Sequence, residues 1–285
     1  MTEDGRKRVI IENVNPEIDD GVFPVKRVAG ESVEVRADIF ADGHDQITAV
    51  VQYQQMEDEE WHEVPMTFSV NDRWAAEFTV DSVGMYRYTI AAWIDHLKTW
   101  QQDLKKKFDA GQDVTVDLQI GAQLIESAAT RASGIDANLL ADWSDRLDSP
   151  DSQPEVVSLA LSDELSNLTR QFPDRTLETR YDKELLVSVD RKKALFSTWY
   201  EFFPRSAGEG TDHGTFRDAE ALLPEIADMG FDVVYLPPVH PIGETNRKGK
   251  NNSVTAEPGD PGSPWAIGAK QGGHKAIHPE LGDIK

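Results

Sequence analysis

Met229-Gly230-Phe231-Asp232-Val233-Val234-Tyr235-Leu236-Pro237-Pro238 holds, in Phe231 to Leu236, a short run rich in β-branched and aromatic residues that does not alternate with polar ones. Such a run reads as a strand covered on both faces. Upstream, Thr215 to Met229 places Phe216, Ala219, Leu222, Leu223 and Ile226 on one side of a helix, and Gly230 suits the left-handed position that ends it. Before that helix, Ala194 to Phe203 is a second apolar, aromatic strand. Strand, helix and strand in that order predict a parallel unit with a helical crossover. Beyond Pro237 the sequence turns into a Gly/Pro/Asn-rich loop running almost to Lys285.

The first third reads differently. Val33, Val35, Ala37 and Ile39 alternate with Ser32, Glu34, Arg36 and Asp38, the period of a half-buried strand. Val9 to Ile11, Ile47 to Tyr53, Trp61 to Phe68, Trp74 to Val80 and Met85 to Trp93 supply further strands. Turn signals at Ala29-Gly30, Asp42-Gly43, Asn71-Asp72 and Val83-Gly84 separate them, which predicts an antiparallel β-sandwich. From Asp95 the period changes. Leu97, Trp100, Leu104 and Phe108 form a helical stripe, Ala137 to Leu147 another, and Val157, Leu161, Leu165, Leu168 and Phe172 a third that begins near Pro154 and ends at Pro173. Val114 to Ile120 fits either period; the good helix formers from Ala122 to Arg131 favour helix. Alternation returns at Glu184 to Asp190. The expected architecture is therefore multidomain: a β-sandwich over residues 1–95 plus 176–191, an inserted α-helical bundle over 96–175, and a third part over 192–285.

The chain has 285 residues, 51 acidic against 29 basic, and a formal net charge of -22. Such a field repels nucleic acid and anionic membrane surfaces, so neither is expected as a partner. There is no cysteine, which excludes disulfides and thiolate metal sites. Met1 to Arg8 is polar, with no apolar stretch behind it, and no run approaches 18 apolar residues. A cytoplasmic location is the expectation.

Two segments carry a family resemblance. Trp199-Tyr200-Glu201-Phe202-Phe203-Pro204-Arg205 resembles the first barrel strand of enzymes of the α-amylase superfamily, and Met229 to Pro238 resembles their second. His240-Pro241-Ile242-Gly243, Arg247-Lys248-Gly249-Lys250-Asn251-Asn252, Pro264-Trp265-Ala266-Ile267-Gly268 and Gly272-Gly273-His274 are similar to the maltosyltransferases that move maltose from maltose 1-phosphate to glucan ends. Arg8 to Val14 and Phe23-Pro24-Val25-Lys26 resemble the amino-terminal domain of the same family. The resemblance implies that residues 192–285 are the first two βα units of a (β/α)8 catalytic barrel. It also implies retaining transfer from α-maltose 1-phosphate to an α-1,4-glucan acceptor, a homodimer built by the amino-terminal and inserted domains, and no cofactor.

Retaining transfer needs two carboxyl groups about 5 Å apart across the scissile bond, and a whole barrel takes about 250 residues. No position here matches the family's nucleophile, acid or third carboxylate, so none is assigned as catalytic. The chain by itself is expected to be silent. Glu201, inside the first strand, reads as a structural carboxylate. Lys248, Asn251 and Asn252 are the candidate substrate-binding residues: they follow the second strand on the face where barrel enzymes bind substrate, and an ammonium there can donate to sugar hydroxyls or approach phosphate. Asn251 and Asn252 serve equally well as turn residues. Arg247 and Lys250 read as loop anchors or solvated charge. His240 and His274 lack metal-ligand spacing, and no metal is expected. Trp61, Trp74 and Trp93 read as core rather than as a sugar platform. The other readings are a glucan-binding or dimerisation module, and a related amylase-type hydrolase or branching enzyme.

Overall fold

A computed structural model describes residues 5–148, 153–210 and 213–283. The chain divides into two compact units, Met1–Arg191 and Lys192–Lys285.

The first unit begins with eight strands: β1 (Val9–Asn15), β2 (Val25–Val28), β3 (Glu31–Ala41), β4 (Ile47–Gln55), β5 (His62–Pro65), β6 (Thr67–Phe68), β7 (Arg73–Val80) and β8 (Gly84–Ile94). Five helices follow: α1 (His96–Asp109), α2 (Thr115–Arg131), α3 (Gly134–Asp148), α4 (Gln153–Ala160) and α5 (Asp163–Thr169). Two strands, β9 (Thr179–Arg180) and β10 (Leu185–Asp190), return to the sheet. One sheet has the order β1-β3-β7-β6 and is antiparallel throughout. The other has the order β2-β10-β8-β4-β5, with β9 beside β8. Its β10 runs parallel to β2, with Val187 opposite Val25, so the expectation of a wholly antiparallel arrangement fails at this one pair. The long stretch of chain between β2 and β10 supplies the crossover that a parallel pair requires.

The alternation read in β3 points Val33, Val35, Ala37 and Ile39 into a shared core, all but sealed from solvent. Val51, Tyr88, Ile90, Ala92, Val187 and Val189 meet them from the other sheet. Central strand β8 is buried on both sides: Tyr88 and Ile90 face that core, while Ala91 and Trp93 join Val50 on the opposite face. The helices bury a core of their own around Trp100, Leu104, Leu118, Ile125, Leu140, Leu147 and Leu165. The ambiguous segment after Val114 is helical, and Leu118, Ala122 and Ile125 are its buried stripe.

Two expectations for the first unit need correction. The single helix predicted from Pro154 to Pro173 is two, α4 and α5. Ser162 adopts an extended backbone, and its hydroxyl accepts the Leu165 N–H, so it starts a new helix instead of continuing the old one. The strand predicted over Trp61 to Phe68 is broken at Met66, which is buried between β5 and β6. Among the tryptophans, Trp74 and Trp93 are core, as expected. Trp61 is half-buried, with the guanidinium groups of Arg87 and Arg180 each 4.9 Å from its ring centre.

The second unit contains β11 (Trp199–Glu201), α6 (Phe216–Ala221), α7 (Leu223–Asp228) and β12 (Val233–Tyr235). β11 and β12 are parallel, with Trp199 opposite Val233 and Glu201 opposite Tyr235. Both are shorter than the sequence suggests. Leu195 and Phe196, predicted inside the strand, are 67% and 78% exposed, and a turn at Lys192–Ala194 precedes them. The segment predicted as buried on both faces is only half-buried, because each strand has one neighbour. The helix predicted over Thr215 to Met229 also has two parts. Pro224 has no N–H to continue the ladder, so α7 restarts at Leu223. Thr215 and Asp218 close a reciprocal capping box at its start, and Gly230 at φ +86° ends it. Among the described residues, no helix is long and apolar enough to cross a membrane.

Candidate functional site

The loop that carries Lys248 leaves the carboxyl end of β12 and is fixed by polar bonds, not by regular structure. Gly243 N–H donates to the Ala266 carbonyl at 2.7 Å, Gly249 N–H to the Ser253 carbonyl at 2.9 Å, and His278 N–H to the Val239 carbonyl at 2.8 Å. Arg247 is the central tie. Its guanidinium donates to the carbonyls of Gly243, Ile242 and Asp260 at 3.2, 3.2 and 3.3 Å. That is an anchor, one of the two roles expected for it. On the other side of Lys248, Gly249 leaves no room for a side chain: a Cβ there would meet the Thr255 carbonyl oxygen at 2.3 Å. The buried Asp260 carboxylate accepts the Glu257 N–H at 2.8 Å and closes the far side of the loop.

Lys248 thus sits between two fixed neighbours. It is half-buried, and among the described residues its ammonium has neither a hydrogen-bond nor an ion-pair partner. Asn251 and Asn252 are exposed, with φ of 50° and 61°. Asparagine is among the few residues that tolerate this left-handed backbone, so the turn accounts for both positions, and their side-chain amides stay free for a ligand. The loop therefore brings the half-buried Lys248 ammonium, the exposed Lys250 ammonium and two side-chain amides into a five-residue stretch, a set able to donate to hydroxyl or phosphate oxygens. Glu201 is exposed at the end of β11.

His240 is buried, its Nδ1 donating to the Pro241 carbonyl at 3.0 Å, and its ring meets His274 edge-on. Sequence reading passed over His213 and His278, whose rings stack 5.6 Å apart with Glu280 beside them. Sixty-odd positions separate the two imidazoles, and no spacing rule connects them. Burial, more than the nearby His213, Arg205 and Arg247, holds the His278 imidazole below its usual range.

The first unit has a cavity of about 560 Å³ between the outer face of the second sheet and the helices, lined by Val50, Trp93, Gln101, Ser127 and Arg175 among others. Arg175 lies 4.2 Å over the Trp93 ring and makes two 2.7 Å bonds to the Glu63 carboxylate. The Arg175 bonds keep that carboxyl below its ordinary range, against the opposing effect of burial.

Residues 7–191 match the family model described as alpha-1,4-glucan:maltose-1-phosphate maltosyltransferase, domain N/S. Among proteins carrying that enzyme's name, the one from Chlorobaculum tepidum is 54% identical over 283 residues, covering 99% of this chain and 42% of its own length. The Myxococcus xanthus protein is 52% identical over 286 residues, 97% of this chain and 43% of its own. The one from Pseudomonas aeruginosa is 41% identical over 277 residues, 97% and 42% respectively. The chain thus spans less than half the length of these curated relatives. With a matching model over most of its residues and close relatives along nearly all of it, the chain belongs to the α-1,4-glucan:maltose-1-phosphate maltosyltransferase family.

Proposed function

We propose that this chain is the amino-terminal portion of an enzyme that transfers maltosyl units from α-maltose 1-phosphate to the non-reducing ends of α-1,4-glucans with retention of configuration. In this reading, residues 1–95 plus 176–191 form a β-sandwich and residues 96–175 a helical bundle inserted into it. Residues 192–285 open a (β/α)8 barrel. The placement of α1–α5 between β8 and β9, two strands adjacent in one sheet, supports the insertion. The parallel pairing of β11 with β12 across α6 and α7 supports the barrel. Lys248, Asn251 and Asn252 contact donor or acceptor sugar, and the bond-breaking carboxylates lie outside residues 1–285. The protein works in the cytoplasm.

The observation that carries the site assignment is the partnerless ammonium of Lys248, held half-buried between the Arg247 tie and the crowded Gly249. A half-buried charge without a partner costs free energy unless a ligand satisfies it. Phosphate release from α-maltose 1-phosphate is the decisive assay, run on this chain and on a version extended through a complete barrel. Activity is expected only from the extended protein. An extended protein that hydrolyses starch and ignores maltose 1-phosphate would reject the reading. In that protein Lys248→Ala is expected to raise KM for maltose 1-phosphate by about tenfold or more, the worth of a charge-assisted hydrogen bond.

The dimer belongs to the same proposal. Val116 and Ile120, one helical turn apart on α2, are 66% and 47% exposed, an apolar strip with no covering element among the described residues of the first unit. Sedimentation of residues 1–191 is expected to report a dimer, and Val116→Glu with Ile120→Glu a monomer.

A further inference from the structure

His213, His278 and Glu280 bring three metal-ligating groups together, with their donor atoms all within 4.8 Å of one another. The same carboxylate oxygen, Glu280 Oε2, lies 3.9 Å from His213 Nε2 and 3.9 Å from His278 Nδ1. A pocket of about 20 Å³ lined by both histidines lies beside them, room for one water-sized particle. The tautomer of the first ring suits a ligand, and because the two rings lie within 11° of parallel, one imidazole turns about its side-chain bonds for both in-plane lone pairs to reach one ion. His213 Nδ1 donates to the Gly214 carbonyl at 2.8 Å, so Nδ1 carries the proton and the Nε2 lone pair is free. A backbone carbonyl on the remote ring nitrogen is how a metal-binding imidazole is usually held. His278 Nδ1 accepts the Glu280 N–H at a long 3.3 Å, which puts its lone pair on the carboxylate side. A cation there would replace that weak contact.

We propose that His213 Nε2, His278 Nδ1 and the Glu280 carboxylate bind one zinc-class divalent ion, with water completing the coordination. Two imidazoles and one carboxylate select zinc and its late first-row neighbours over magnesium or calcium, which require oxygen ligands. Tetrahedral ligands on zinc lie about 3.4 Å apart when each bond is about 2.0–2.1 Å. The Glu280 side chain, 64% exposed, is free to close the remaining gap by rotation. Arg205 lines the same pocket and opposes a cation, which limits the affinity without removing the donors. The ion would tie the residues just before α6 to the far end of the Lys248 loop, some 65 positions later in the sequence, and so brace the loop from its distal end.

The test is direct titration of the metal-free 285-residue chain with zinc by calorimetry, and with cobalt(II) by visible absorption. One ion per chain and a ligand-field band between about 500 and 650 nm are expected for four-coordinate cobalt with nitrogen and oxygen donors. His213→Gln with His278→Gln is expected to weaken zinc by at least about 100-fold, and Glu280→Gln by about tenfold, in the range that single ligand-shell changes produce. His44→Gln with His62→Gln, two exposed imidazoles in the first unit, should change nothing. Glu280→Gln alters an exposed side chain and keeps the test valid if the double variant does not fold. Absence of stoichiometric zinc binding by the unaltered chain overturns the proposal. So does binding that survives Glu280→Gln and His213→Gln undiminished. The readout is metal occupancy, so the outcome does not depend on whether the parent enzyme uses maltose 1-phosphate.

Discussion

The two units of this chain hold their shape by different means. In Met1–Arg191, two sheets and a set of helices seal large side chains completely: Ile39, Tyr88, Leu118, Ile125 and Leu147 are all inaccessible or nearly so. In Lys192–Lys285 the sheet has two strands of three residues, and Trp199 and Tyr235 in those strands remain 58% and 42% exposed. Order there comes from backbone hydrogen bonds and from Arg247. The contrast follows from strand chemistry. Antiparallel strands joined by tight turns build a core from neighbours in sequence, whereas a parallel pair needs cover on both faces before its apolar residues are buried. The candidate site lies in the unit that depends on polar ties, which suits the proposed role of its loop in presenting free donors.

If that contrast is right, Leu118→Ala gives the largest loss. Leu118 is fully buried among Trp100, Leu140 and their neighbours, and removing three carbons from such a place costs about 2–5 kcal/mol. Chemical denaturation should show the loss in the transition reported by the tryptophans of the first unit. A loss below about 1 kcal/mol would mean that the helical core is loosely packed and the contrast overstated. Arg247→Met comes next. It keeps the length of the side chain and removes its three bonds to carbonyls, at about 1–3 kcal/mol for the groups left unsatisfied. Amide exchange should rise at Gly243 and Gly249 and stay unchanged across β3 and β8. Unchanged protection at Gly243 would show that the loop is held by something other than this tie.

Much of this was legible before any coordinates. The period of two marked β3, the turn signal at Val83-Gly84 marked the start of β8, the helical stripes marked α1, α2 and α3, and Gly230 marked the end of the crossover helix. The errors have local causes. Ser162, Asp163 and Glu164 are an N-cap followed by two acids, a helix start inside what looked like one apolar stripe. Pro224 is a break of the same kind. Apolar content in Leu195, Phe196 and Phe231 to Leu236 was read as burial, but burial depends on how many neighbours a strand has, and a run of residues does not encode that. At the site, the Lys248 segment could be read because its chemistry is contiguous. The pairings Glu63 with Arg175 and His213 with His278 could not, because each joins residues far apart in sequence that only the fold brings together.

The smallest effect sharpens the comparison from the other side, by asking whether polar ties also matter in the unit that has a core. Arg175 follows α5 and bridges to Glu63 on β5 with two 2.7 Å bonds, while Gln52 donates to the same carboxylate at 2.8 Å. Glu63 is therefore held below its unfolded value of 4.5, chiefly by the Arg175 bonds. A carboxyl depressed in the folded state contributes stability that is present above the unfolded value and is lost as pH falls through the folded one. Glu178 complicates the picture: burial raises it, so its ionised form opposes folding as pH rises. Its carboxylate lies 3.6 Å from Arg175 Nε, too far for a hydrogen bond but close enough to attract. Glu63→Gln separates the two. At pH 7 the variant should be less stable by about 1 kcal/mol, the scale of a partly exposed ion pair. The deficit should shrink as pH falls through 4.5 and vanish once Glu63 is protonated in the native chain. It should also be partly offset by Arg175 turning to Glu178, so Glu63→Gln should cost more when measured in a Glu178→Gln background than in the unaltered chain. A deficit that stays constant from pH 7 to pH 3 would show that the effect arises from packing over Trp93 and not from charge.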